Sequence, residues 1–193
     1  MELLTKASRT DAVTDREREN LSVAYRAACE GIVLLKNDGA LPFSTKHIAL
    51  YGSGAKRTIK GGTGSGEVNE RHSVTALEGL QNRGFTIATE QWLTDYEAFY
   101  AEAEAAYKAE KRKRLNLLKL HDIMQMLFDN FRTPAGPAIT DAYLSDDTDS
   151  CVYVLSRQAG EGGDRKLEKG DYLLSDEEVE AIRVCAAHYD KFV

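Results

Sequence analysis

Short apolar runs that close on glycine alternate with segments of helical period, and this alternation narrows the fold more than any other feature of the chain. HIALYG, His47–Gly52, is an apolar run ending on glycine and reads as a buried strand. FTIAT, from Phe85, is a short strand. CVYVLS, Cys151–Ser156, is another apolar run and also reads as a buried strand, with a glycine-rich loop after it. Helical segments stand between and around these runs. Strand, loop and helix in repetition require crossover connections, which means a mainly parallel sheet with helices on both faces. The expected class is therefore α/β, a three-layer α/β/α sandwich. Such sheets bind ligands beyond the carboxyl ends of their strands.

The helices carry local signals of their own. Residues 14–30 place Leu21, Ala24, Tyr25 and Ala28 on one face. GIVLLKNDGALPF follows, with Ile32–Leu35 expected as a short buried segment and Asn37-Asp38-Gly39 as a turn. In SVTALEGLQNRG, Thr75 and Glu78 have capping-box spacing and Gly84 is a stop. Trp92, Tyr96, Phe99, Ala103 and Tyr107 share a helical face. After the basic run KAEKRKR a second face follows at Leu117, Leu120, Met124, Leu127 and Phe131, so a helical insertion is expected over about 92–132. LSDEEVEAI opens the last helix, with Ser175 and Glu178 as capping box and Val179, Ile182, Ala186 and Tyr189 as its apolar stripe. The chain reaches Lys191-Phe192-Val193 where a further strand should begin, so the sheet is expected to be incomplete and its open edge to favour self-association.

Composition excludes several functions. The 193 residues are 42% hydrophobic and 29% charged, as in a globular domain. A net charge of −6 disfavours nucleic acid as a partner, because phosphate binding needs a basic face. No stretch is long and apolar enough to span a membrane, and no secretory signal stands in MELLTKASRTDAVTDREREN. Cys29, Cys151 and Cys185 are scattered in apolar contexts, the pattern of reduced, buried thiols in a cytoplasmic protein. His47, His72, His121 and His188 are far apart, so no metal site and no cofactor is expected.

Two glycine-rich loops remain. KGGTGSGEV, Lys60–Val68, matches neither the phosphate-binding GxxxxGK string nor the dinucleotide GxGxxG pattern. A loop that presents backbone N–H groups and Ser65 to a polar ligand stays open beside a plain crossover loop. No GxSxG string supports a nucleophilic serine. KAEKRKR is balanced by Glu102, Glu104 and Glu110 and reads as a solvated helix face, and the aromatic stripe reads as core or interface. In SRQAGEGGDRKLEKGDYLLSDEE, Glu161 lies among Gly160, Gly162 and Gly163, where the absence of Cβ atoms allows close approach. It is either a turn carboxylate or a catalytic acid on a strand-end loop.

GIVLLKNDGALPF, KGGTGSGEV with TALEGL after it, and SRQAGEGGDRKLEKGDYLLSDEE stand in an order and spacing that resemble the α/β-sandwich domain of family 3 glycoside hydrolases, the β-glucosidase type, over roughly residues 20–193. The resemblance implies a retaining β-glycosidase acting on a β-glucoside or short oligosaccharide. A (β/α)8 barrel would carry the nucleophilic aspartate. The sandwich domain would lend an acid/base glutamate, which maps to Glu161. Asp164 and Arg165 match the family's Asp-Arg pair and would shape the loop, while Gly163 replaces the usual aromatic residue. Lys60, Gly62, Thr63, Gly64 and Ser65 map onto the loop that borders the sugar subsite. The family's Ser-Asp-Trp nucleophile string does not occur: Leu-Ser-Asp at 144–146 and 174–176 is not followed by Trp. Residues 1–193 are thus expected to be the N-terminal portion of a sandwich domain that works with a barrel not present in them. The alternative is a non-catalytic carbohydrate-binding or assembly module of the same fold.

Overall fold

The computed structural model describes residues 11–62, 71–115, 131–159 and 165–193. The chain divides into two units, Met1–Asp38 and Gly39–Val193. The first is built on helix α1, Asp15–Gly31. Thr14 caps it by accepting from the Glu17 N–H at 3.2 Å, and Asp15 and Glu17 place negative charge on its first turn. No residue of α1 is buried. Ile32–Leu35 correct the sequence expectation, since Ile32 is 77% and Leu35 92% exposed. Apolarity marks a run that can be buried. Burial also requires a covering surface, and among its described residues this unit offers a single helix.

The second unit holds a parallel sheet. Its described strands are β1 (His47–Tyr51), β2 (Thr86–Ile87), β3 (Ser150–Tyr153) and β4 (Lys191–Phe192), in the order β2-β1-β3-β4. Ala49, Leu50 and Tyr51 stand beside Cys151, Val152 and Tyr153. Ile48 to Tyr51 are fully buried, as expected of a central strand covered on both faces. Lys191-Phe192 form β4 beside Ser150 and Cys151, so the further strand begins where the sequence places it. β3 ends at Tyr153, three residues before the apolar run does. Val154 N–H still bonds to Tyr51 O at 2.9 Å, but Leu155 faces outward. β2 is shorter still, and the side chain of Thr89 continues its pairing. The Thr89 hydroxyl accepts from Leu50 N–H at 2.9 Å and donates to Leu50 O at 3.0 Å.

Among the described residues, three helices connect the strands. Helix α2 spans Ala76–Asn82, and α3 spans Glu90–Leu115. Helix α4 spans Asp176–His188. Tyr51 packs edge-on to Trp92 of α3, and its hydroxyl lies 2.9 Å from that of Tyr189 at the end of α4, so α3 and α4 cover one face. Right-handed crossovers place α2 on the other face, where Leu77 and Leu80 pack on the core. The Tyr51 hydroxyl donates to Tyr143 O and the Tyr189 hydroxyl accepts from Ser145 N–H, so both buried phenols are satisfied. Trp92 stacks on Tyr96, and the segment after Phe131 crosses both rings. Gly136, at φ 105°, makes that crossing possible, because a Cβ there would stand 2.6 Å from Tyr96.

The helical faces differ in detail from those read in the sequence. Tyr100 packs on the core where Phe99 was expected. Leu117, Leu120, Met124 and Leu127 lie outside the described residues. Of the stripe read for α4, Tyr189 is buried and Ile182 half-buried, but Val179 and Ala186 are exposed, and Glu178, Ala181 and Cys185 face inward. Glu178, a buried carboxylate, takes an inward position that an apolar stripe does not include. Thr75 caps α2 as expected, but the Glu78 carboxylate meets His72 Nε2 at 2.8 Å. Cys151 and Cys185 are buried and Cys29 is exposed, against the expectation for the last. Among the described residues no helix is long and apolar enough to cross a membrane.

Candidate functional site

β1 connects to β2 on one side of the sheet, and β3 connects to β4 on the other. The chain therefore leaves the carboxyl ends of two adjacent strands in opposite directions. That divergence makes the junction of β1 and β3 a topological switch point, the crevice position at which doubly wound sheets bind ligands. Both glycine-rich loops start there, one after Tyr51 and one after Tyr153.

The two loops begin in contact. Gly52 has φ 94°, and a Cβ on it would stand 2.4 Å from Val154 O. Gly54 N–H bonds to Val154 O at 2.9 Å. Only residues without side chains allow the backbones this close. Further out, Gln158 Nε2 donates to Gly61 O at 3.2 Å, joining the loops again. Ser53 is buried between the two glycines, and its hydroxyl has no hydrogen-bond partner among the described residues.

The first loop is closed at its base. The Thr58 hydroxyl donates to Gly54 O at 2.7 Å and accepts from Ala76 N–H at 2.8 Å, and Leu77 N–H donates to Ala55 O at 2.9 Å. Arg57 lies 3.6 Å from the centre of the Tyr100 ring and donates to Glu97 at 2.7 Å. Of the residues mapped to the sugar subsite, Lys60 is exposed and Gly62 half-buried near this loop's edge. Thr63, Gly64 and Ser65 lie outside the described residues.

The second loop has a charged base. Arg157 forks onto the Glu178 carboxylate, Nη1 donating to Oε1 at 2.7 Å and Nη2 to Oε2, while its Nε donates to Asp171 O at 2.7 Å. Arg165 Nη1 donates to Asp171 Oδ1 at 2.7 Å, and Lys166 N–H to Oδ2 at 3.2 Å. Arg132 approaches Oδ2 at 3.5 Å. The Arg165 hydrogen bond, with that of Lys166 N–H, holds the Asp171 carboxyl below its ordinary range. The Glu178 hydrogen bond raises the Arg157 guanidinium pKa. Glu161 and Asp164 lie outside the described residues, whereas Arg165 sits at the base of their loop. Arg157, Asp171 and Glu178 were not singled out in the sequence. Glu178 was visible only as a capping residue, a role it also fills by accepting from Ser175 N–H at 2.8 Å. Among the described residues no cluster of three His, Cys, Asp or Glu side chains could hold a metal ion.

Residues 32–193 match the glycosyl hydrolase family 3 C-terminal domain. The chain belongs to glycosyl hydrolase family 3. Relatives in this family include beta-glucosidase A of Butyrivibrio fibrisolvens, 29% identical over 161 residues, which cover 78% of this chain and 16% of that protein. Solved family 3 structures share the fold. Beta-glucosidase 3B from Thermotoga neapolitana, in complex with alpha-D-glucose, is 33% identical with TM-score 0.61, covering 91% of this chain and 23% of that one. A beta-glucosidase from Paenibacillus barengoltzii is 25% identical with TM-score 0.66, covering 89% and 17%. The chain thus spans about a sixth to a quarter of the length of these relatives. Residues 32–193 are a family 3 C-terminal α/β domain with a parallel sheet.

Proposed function

We propose that residues 1–193 form the N-terminal portion of the sandwich domain of a retaining β-glucosidase, with a helical insertion over about 92–132, and that Glu161 is its general acid/base. The observation that carries this reading is the position of the Glu161 loop: it leaves the carboxyl end of β3 at the crevice, joined to the loop after β1. A family 3 barrel domain would supply the nucleophilic carboxylate. Lys60, Gly62, Thr63, Gly64 and Ser65 would border the sugar of a β-glucoside or short oligosaccharide. Asp164 and Arg165 would shape the loop.

The chemistry requires one carboxyl group to change state. In a retaining enzyme the acid/base group lies about 5–5.5 Å from the nucleophile. It protonates the departing aglycone oxygen while the nucleophile attacks the anomeric carbon. It then takes a proton from the water that releases the sugar. A carboxyl group partly desolvated between two domains is protonated more readily, which suits the first step.

The test uses this chain joined to its barrel. Glu161→Ala should slow glycosides with poor leaving groups by about 10²- to 10⁴-fold and spare those with acidic leaving groups in the first step. The glycosyl-enzyme should accumulate, and azide should restore turnover and give a β-glycosyl azide. Equal slowing of all substrates without azide rescue would overturn the assignment. Rescue in its place of Glu67→Ala, at the glutamate of KGGTGSGEV, would move the role to that loop. Residues 1–193 alone should release no aglycone from an aryl β-glucoside.

A further inference from the structure

The described ends of the second loop converge on one carboxylate residue. Arg157 precedes the segment 158–164, and Arg165 follows it. Arg157 binds the Asp171 carbonyl at 2.7 Å, and Arg165 binds the Asp171 carboxylate at 2.7 Å. Asp171 is itself 5% exposed and takes Lys166 N–H and Arg132 as further partners. Arg157 cannot swing away from this node, because Glu178, 3% exposed and fixed in the first turn of α4, holds the other side of its guanidinium. Turn bonds complete the fixture: Asp171 N–H donates to Glu168 O, and Gly170 N–H to Leu173 O.

Buried arginine–carboxylate pairs at both ends, Arg157 with Glu178 and Arg165 with Asp171, exceed what a crossover loop needs. A turn can be closed by backbone bonds, and this one has them. Burying charged side chains carries a desolvation penalty that only good pairing offsets. What the pairing adds is fixed geometry: the Arg157 fork on Glu178 defines direction as well as distance, and the Arg165 bond fixes the other end.

We propose that Asp171 is the positioning residue of the Glu161 loop: its carboxylate holds the Arg165 end, its carbonyl accepts from Arg157 at the other end, and Glu178 keeps Arg157 in place. The proposal rests on Glu161 as the acid/base. It adds that the loop's catalytic alignment is set from its base. A carboxyl group misplaced by about 1 Å can lose as much as 10²-fold in proton transfer.

Two measurements separate the proposal from the reading beneath it. The first is hydrogen exchange in the 193-residue chain, wild type against Asp171→Asn. Exchange should rise in 158–165 and remain unchanged in β1 and β3. Unchanged exchange in 158–165 would overturn the proposal whatever Glu161 does. The second is kcat/KM in the enzyme that joins this chain to its barrel, with phenyl and 2,4-dinitrophenyl β-glucosides. Asp171→Asn should lower the phenyl value about tenfold, part of the 10²- to 10⁴-fold that acid catalysis supplies, and the dinitrophenyl value less than about threefold. Arg165→Met should give the same split and add little to Asp171→Asn. An equal loss on both substrates, the signature of a merely less folded enzyme, would overturn the proposal. If Glu161→Ala itself shows no split, the acid/base reading fails and the catalytic consequence drawn from the lock falls with it.

Discussion

Arg157 and Glu178 meet fork to fork, yet the two partners are unequally buried: the arginine side chain is 26% exposed and the carboxylate 4%. The inequality predicts an asymmetric response. Arg157→Met leaves a buried carboxylate without its main partner and should destabilise the domain by about 3 kcal/mol or more. Glu178→Gln leaves an arginine that can reach water and an amide oxygen that can still cap α4, so it should cost only about 1–2 kcal/mol. Urea unfolding of both variants decides the matter, and equal losses would contradict the burial argument.

Thr89 extends the sheet with a side chain in place of a strand. Thr89→Val keeps the shape and removes both hydrogen bonds to Leu50, leaving a buried N–H and C=O unpaired. The expected cost is about 2–3 kcal/mol, against little for Thr89→Ser. A valine variant with an unchanged urea midpoint would refute this role.

The three thiols should separate by reactivity. Cys29 is exposed, whereas Cys151 and Cys185 are buried against each other across β3 and α4. The hydrogen bond with Cys185, then burial, pushes the Cys151 thiol pKa up, and a protonated thiol is a poor nucleophile. A disulfide reagent should titrate one thiol in the folded chain and all three in denaturant. Three fast thiols without denaturant would show that the core is open.

Acid should release the Asp171 node. Its carboxyl lies below the ordinary 3.8, held there first by Arg165. A depressed folded pKa contributes stability that is complete above the unfolded value and is lost as pH falls through the folded one. The gap in melting temperature between wild type and Asp171→Asn should therefore be full at pH 7, persist at pH 5 and shrink below about pH 4. The same gap at pH 3 as at pH 7 would mean that the charge is not what Asp171 contributes.

What was legible in the sequence follows the range of the forces involved. β1, the Thr75 cap of α2, the capping box of α4, and the placement of both loops after strands are local or periodic, and they stand as read. The Arg157–Glu178 and Arg165–Asp171 pairs were not legible, because pairing across a loop depends on tertiary approach. Glu178 hid best: a capping box explains a glutamate at that position so well that its second partner, 21 residues back, leaves no local trace. Ile32–Leu35 failed for the opposite reason, since their apolarity was plain and the surface to cover them was not.

Both crevice loops are sealed where they leave the sheet, one by Thr58 with Ala76 and Leu77, the other by Asp171 with its arginines. A sealed stem makes a loop a replaceable cassette. Residues inside it can be lengthened, shortened or exchanged at a modest entropic cost that grows only with the logarithm of length, while the strands below keep their register. If residues 60–65 border the sugar as proposed, grafting whole tips between Thr58 and Ala76 would change sugar preference without a change to the sheet beneath them.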